Sequence, residues 1–269
     1  MPSDALEWTA ARLAAEPAVL VRVERVQGSA PREPGAWMAV FAGDVAGTVG
    51  GGHVELQAMA SARRMLAGED APALQRYALG PSLGQCCGGV MHLRFERLGP
   101  GQAADLAQRL AAPRAPLALF GGGHVGRAIA QAVAPLPYAL TWIDSRDNIF
   151  PAPAPDGVQC EHSDPVEAAV PLLPAGSRVL VMSFSHAEDL DIVAACLRRL
   201  RVQGDLPFVG LIGSATKWAT FRSRLRARGF AEEELARITC PIGIPGIRGK
   251  QPEVIAASVA AQLLLAAPP

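Results

Sequence analysis

The stretch Leu117-Ala-Leu-Phe-Gly-Gly-Gly-His-Val-Gly-Arg-Ala-Ile-Ala130 decides how the second half of the chain is read. A short apolar run ends in Gly121-x-Gly123-x-x-Gly126, after which apolar positions recur at helical spacing. That order asks for a tight strand-to-helix turn, a backbone that approaches an anion closely, and a helix packed hard on the preceding strand. The first amides of such a helix, His124 onward, lack partners within it and face a phosphate readily. Ala139-Leu-Thr-Trp-Ile-Asp144 reads as a second strand closing on an acid, where folds of this kind hold a ribose hydroxyl. The pattern predicts an α/β class with a Rossmann-like parallel sheet; it does not by itself fix the ligand.

Working outward, Arg178–Met182 and Phe208–Ile212 are further strands, each ending in polar residues where a parallel sheet opens its crevice. Asp144 favours a diol over an added phosphate, so a pyridine dinucleotide enzyme built here would prefer NAD to NADP. Arg146 complicates that choice because it can accept the phosphate, and Asp144 also suits a plain turn cap before the proline-rich 150–155. His186 is a candidate base or ring contact, or equally a structural residue at a helix start; no serine-nucleophile elbow accompanies it. Ser214 either caps a helix or donates to an anion, with Lys217 close by, but the spacing of a P-loop is missing. A loop rich in glycine and proline, Cys240 to Lys250, precedes an apolar helix at 252–265, which is expected to cover the first domain or to form a subunit contact.

The first hundred residues have a different logic. A helix at 4–15 and a strand at 18–26 lead into Gln27-Gly-Ser-Ala-Pro-Arg-Glu-Pro-Gly35, where two prolines stiffen the loop that carries Ser29 and Arg32. The guanidinium fork of Arg32 suits phosphate or carboxylate, or else an ordinary surface pair with Glu33. Two short strands then run into Gly50-Gly-Gly-His-Val-Glu55, in which Gly51 and Gly52 give close backbone access beside His53 and Glu55. These two are a donor and an acceptor for a polar ring system, or a turn residue and a dipole-favoured helix acid. Cys86 and Cys87, set between glycines, are candidates for a soft metal or a sulfur-transfer path; inert turn cysteines are the alternative. The division expected is 1–100, a linker at 101–115, and 116–269.

Composition removes several classes. Lys plus Arg and Asp plus Glu are both 25, so bulk charge gives no pull toward nucleic acid or an anionic membrane. The start lacks a secretory pattern and no apolar run spans a bilayer, so a cytoplasmic protein is expected. Five cysteines in no staple pattern read as free thiols.

Taken together, Gly28-Ser-Ala-Pro-Arg32, Gly50-Gly-Gly-His-Val-Glu55, Leu83-Gly-Gln-Cys-Cys-Gly-Gly89, Gly121-Gly-Gly-His-Val-Gly126, Trp142-Ile-Asp-Ser-Arg146, Gly210-Leu-Ile-Gly-Ser214 and Pro241-Ile-Gly-Ile with Gly249-Lys250 resemble the XdhC/CoxI family over nearly the whole chain. The resemblance implies an XdhC/CoxI-type α/β domain followed by a Rossmann-like domain. It implies a molybdenum cofactor of the molybdopterin type, protected during sulfuration with a cysteine desulfurase and delivered to apo-xanthine dehydrogenase. A cofactor-insertion chaperone is thus expected rather than a catalyst, as a homo-oligomer without nucleic-acid or membrane partners. The expected ligand set is Ser29, Arg32, Gly51, Gly52, His53, Glu55, Cys86, Cys87, Gly121, Gly123, His124, Gly126, Asp144, His186, Ser214 and Lys250, with the two cysteines nearest a metal. Phe184 stands where relatives often carry another histidine, which weakens a paired-histidine site there. The competing expectation is an NAD-dependent oxidoreductase using Gly121, Gly123, Gly126 and Asp144; a bound NAD or other nucleotide without turnover is a third.

Overall fold

The computed structural model describes residues 2–79, 88–110 and 114–266. They fall into two compact units, Met1–Ala112 and Pro113–Pro269.

The first unit runs α1 (Pro2–Leu13), β1 (Ala18–Gln27), β2 (Trp37–Val40), β3 (Val45–Gly47), α2 (Gly52–Leu66), β4 (Leu74–Ala78), β5 (Val90–Leu98) and α3 (Ala103–Leu110). Its strands form an antiparallel sheet in the order β3-β2-β1-β5-β4. Alternation along β1 sends Val19, Val21 and Val23 to one face, where they meet Met91, Leu93 and Phe95 of β5 and Val54, Ala58 and Ala62 of α2. The other face is covered in part: Ala18 and Leu20 pack with Leu13, Leu106, Phe41 and Leu98. α3 lies in the stretch read from sequence as a linker, yet it buries Leu106 completely against this sheet. A fully buried leucine contributes about 1.5–3 kcal/mol, enough to hold a two-turn helix to the first unit.

The antiparallel order places three connections at one end of the sheet: residues 28–36 between β1 and β2, 48–51 between β3 and α2, and the join from β4 to β5, of which Gly88 and Gly89 are described.

The second unit contains β6 (Ala115–Phe120), α4 (His124–Val133), β7 (Tyr138–Asp144), β8 (Val158–His162), a 3-10 segment at Val166–Leu172, β9 (Arg178–Val181), α5 (His186–Val202), β10 (Phe208–Leu211), α6 (Ala215–Ala227), α7 (Glu232–Leu235), β11 (Ile238–Thr239) and α8 (Pro252–Leu265). The sheet is parallel, in the order β8-β7-β6-β9-β10-β11, so the winding reverses between β6 and β9. That reversal opens a crevice at the carboxyl ends of those two strands. One face packs Val179 and Val181 against Ile192, Leu197 and Phe221; the other packs Leu119 and Trp142 against Ile129, Val133, Val259 and Leu263. α8 lies beside α4 on its own unit's sheet, and the Tyr138 hydroxyl donates to the Leu263 carbonyl at 2.8 Å.

Candidate functional site

At the loop end of the first unit, glycines are required because chains touch. A Cβ on Gly89 would fall 2.3 Å from the Ser29 carbonyl oxygen, and one on Gly50, whose φ is +133°, would fall 2.5 Å from Cγ of Pro31. The proline-stiffened loop is thus pressed between the turn before α2 and the start of β5. Glu55 braces this arrangement: its Oε2 accepts from the amides of Val49 and Gly51, both at 3.0 Å, and from the Thr48 hydroxyl. Of the two readings open for Glu55, a helix acid serving the turn is what this oxygen does, and Thr48 is the partner that sequence reading missed. Ser29, Arg32 and His53 behave oppositely. All three are exposed, and none has a hydrogen-bond or ion-pair partner among the described residues, Glu33 included. The N-cap of α2 is Gly51, with φ +72°, open space around it and no side-chain cap, so Gly52 and the following amides start the helix uncovered. Cys86 and Cys87 lie outside the described residues.

In the second unit the fingerprint glycines do the close packing expected of them. A Cβ on Gly126 would sit 1.9 Å from the Gly121 carbonyl oxygen, and one on Gly121 2.0 Å from that of Met182. The same Gly121 oxygen accepts from the Trp142 indole at 2.9 Å, which ties β7 to the turn. Gly123 is the N-cap of α4, in open space and without a side-chain cap; His124 follows it, exposed.

Asp144 is placed where the pattern requires but is fully engaged. Only 2 % exposed, it accepts from the Gly122 amide at 2.5 Å, the Arg146 amide at 2.9 Å, and the Arg146 guanidinium at 2.9 and 2.8 Å. Arg146 in turn stacks on Phe184, 5.1 Å from the ring centre, and Ile149 fills the space over Gly122. Burial pushes the Asp144 carboxyl up, but the bonds from Arg146 and Gly122 outweigh it and hold it below the ordinary value. While Arg146 stays in place, no oxygen of Asp144 is free to accept from a ribose diol.

The neighbouring loops are equally self-satisfied. Asp189, buried on α5, takes the Ser183 amide and hydroxyl on one oxygen and Lys217 Nζ at 2.6 Å on the other; Lys217 also donates to the Ile212 carbonyl. Ser185 caps α5 through the Glu188 amide, and Ser214 caps α6 through the Lys217 amide. Capping, one of the two readings of Ser214, is therefore realised. His186 is exposed at the first position of α5, edge-on to Phe221 at 6.3 Å. Lys250 is exposed after a loop pinned to α8 by bonds from Gly243 to Gln262 and from Ile244 to Ser258. Burial pushes the Cys240 thiol up to about 11 and that of Cys196 to about 12, so neither is a thiolate at neutral pH. Among the described residues no group of three or more His, Cys, Asp or Glu is placed to hold a metal, and no helix is long and apolar enough to cross a membrane.

Residues 117–263 match the family described as the XdhC Rossmann domain, and residues 11–78 match that described as the XdhC and CoxI family. The chain belongs to the XdhC and CoxI family. It is 29% identical over 253 residues to the uncharacterized protein YqeB of Escherichia coli, covering 92% of this chain and 43% of that protein. The chain thus spans less than half the length of that relative. Its fold is shared with a crystal structure described as a xanthine dehydrogenase (BH1974) from Bacillus halodurans, with a TM-score of 0.78 at 18% identity over 97% of this chain and 95% of that one. In this member of the XdhC and CoxI family the glycine motifs resolve into two settings. At one, the exposed polar side chains Ser29, Arg32 and His53 have no partner among the described residues; at the other, the acids Asp144 and Asp189 are already bonded by their neighbours, while His124 and His186 stand exposed.

The donor set at the first setting suits a molybdopterin-type group, which carries a phosphate, a polar pterin and a dithiolene. A guanidinium without a partner among the described residues, a hydroxyl, an imidazole and an uncapped helix start answer the first two.

Proposed function

We propose that the chain is an accessory factor for maturation of a xanthine dehydrogenase-type enzyme. It holds a molybdopterin-type cofactor at the loop end of the first unit, shelters it while a cysteine desulfurase supplies terminal sulfur, and passes it to the apoenzyme. The carrying observation is the close packing of the 28–36 and 48–51 connections and Gly89, with Ser29, Arg32 and His53 exposed and without partners among the described residues. Membership of the XdhC and CoxI family supports the reading, as does the fold shared with a protein described as a xanthine dehydrogenase.

Arg32, aimed by the prolines on either side of it, binds the anionic end with a fork that matches phosphate. The open amides at the start of α2 add donors, His53 meets a pterin edge, and Glu55 keeps the turn in shape. When bound, the cofactor supplies a molybdenum centre for oxidation and reduction. Cys86 or Cys87, set among glycines in the sequence, would serve that metal or the sulfur path. The Rossmann-like unit, with Asp144 and Asp189 committed internally, is the frame, and two copies of the chain assemble as a homo-oligomer.

The test is the inventory of small molecules released from purified full-length protein, with molybdenum and oxidised pterin quantified against protein. Near-equimolar pterin is expected. It falls in the Cys86→Ala or Cys87→Ala variant together with reconstitution of xanthine dehydrogenase. Absence of pterin after loading, alongside brisk substrate-dependent reduction of NAD, would overturn the proposal in favour of a dehydrogenase.

A further inference from the structure

A second cluster lies on the first unit's sheet, two residues in from its loop end. Arg25, His92 and Arg76 sit directly opposite one another across β1, β5 and β4, and Arg22 stands opposite Arg94 in the next row. The β-bulge between Val23 and Arg25 turns Glu24 and Arg25 to the same side. That side is the one opposite Met91, Leu93 and α2, and beyond the area that α1 and α3 cover. Four guanidinium groups therefore share it with the Glu24 carboxylate, which is already bound two-pronged by Arg94 at 2.7 and 2.8 Å. Arg22, Arg25 and Arg76 have no ion pair among the described residues.

Like charges opposite each other across strands are destabilising, and His92 compounds the cost. The residue is only 9 % exposed, and its ring has no hydrogen-bond partner among the described residues. Burial first, then the charges of Arg25 and Arg76, hold it below its ordinary pKa, so at neutral pH it is a neutral donor between two cations. Neighbouring strands are about 4.8 Å apart, so Arg25 and Arg76 flank His92 from a span of roughly 10 Å, which two arginine side chains close from either side.

We propose that Arg25, His92 and Arg76 form a seat for a small oxyanion of the phosphate class. The seat does not depend on the cofactor reading, since none of its residues belongs to the glycine loops. A tetrahedral anion takes a fork from each arginine and the imidazole N–H between them, which cancels the cross-strand repulsion. Two sources share this chemistry, free phosphate and the phosphate end of a larger ligand.

The test is a thermal and calorimetric titration of the full chain with inorganic phosphate, and in parallel with a pterin phosphomonoester, against chloride at equal ionic strength. Phosphate is expected to raise the melting temperature where chloride does not, and to shift the His92 imidazole proton resonances. Arg25→Gln and Arg76→Gln should each weaken binding about tenfold, while melting no lower than the parent without phosphate. Tighter binding of the phosphomonoester identifies the end of a larger ligand; equal binding identifies the free ion. Either supports the seat. Unmoved His92 resonances, or glutamine variants that bind like the parent, would overturn it. Loss of pterin retention with this seat intact would count against the cofactor reading alone.

Discussion

The turn at Gly50–Gly52 and the turn at Gly121–Gly123 begin alike. In each a strand runs into glycines and then into a helix with no side-chain cap. They part in what surrounds them. Around the first, Ser29, Arg32 and His53 are exposed and unbonded among the described residues. Around the second, Asp144 is closed by Arg146, and Asp189 by Ser183 and Lys217. A buried polar group must find a partner, and once it has one it is no longer available to a ligand. The difference shows that a glycine motif states only how closely two backbones approach. Free donors and acceptors, not the glycines, separate a binding end from a scaffold.

The largest effect expected from breaking this contrast is at Gly126. A Cβ there meets the Gly121 oxygen at 1.9 Å, where backbone faces backbone and neither yields. Gly126→Ala should lose about 4 kcal/mol or more, read as a collapse of the urea midpoint or as insoluble protein. Gly123→Ala, three residues away in open space, should change stability by no more than about 0.5 kcal/mol. Equal losses at both positions would mean the turn is sensitive as a whole rather than at one contact.

Next is Lys217. Its side chain is 13 % exposed, and its ammonium answers the carboxylate of Asp189, whose side chain is 3 % exposed. Lys217→Met leaves that charge buried without its cation and should cost about 3–5 kcal/mol, recovered in large part by adding Asp189→Leu. A single variant as stable as the parent would show water reaching Asp189.

These two cases mark how far sequence reading goes. The Gly126 contact is local, within one turn, and the Gly121-x-Gly123-x-x-Gly126 spacing predicts it. The Lys217–Asp189 pair joins residues on α5 and α6 that no spacing links. β8 and β11 escape a sequence reading because edge strands of five and two residues carry little periodicity, and in β8 no residue is fully buried. The apolar run of α8 was legible as a helix but not its destination, because an apolar face does not name the surface it covers. Asp144 was found by position; that Arg146, two residues on, closes over it depends on a rotamer held by Phe184.

A smaller effect tests that closure through pH. Asp144 is held below its ordinary value, so its contribution is present above the unfolded-state pKa, about 3.9, and is lost as pH falls through the lower folded value. Arg146→Ala removes the guanidinium bonds and leaves only the two amide bonds against burial, which raises the folded pKa and shrinks that contribution. Urea midpoints of the variant relative to the parent should then improve on acidification, and the variant should gain NAD affinity in a calorimetric titration. A variant that follows the parent's pH profile would show that Arg146 does not control the acid.

The smallest change in stability should come from the loop end, and it sharpens the contrast most. Arg32 and His53 are exposed and make no hydrogen bond or ion pair among the described residues, so Arg32→Ala and His53→Ala should each stay within about 0.5 kcal/mol of the parent in urea. If these side chains exist to meet a ligand, each substitution should lower pterin retention about tenfold, while Ser214→Ala, which removes only a helix cap, costs about 1 kcal/mol and leaves retention unchanged. The two kinds of residue then separate on two axes, stability and retention, measured on the same preparations. Should Arg32→Ala cost stability and spare retention, the loop end would be scaffold like the crevice, and the unpartnered side chains would be ordinary solvated surface.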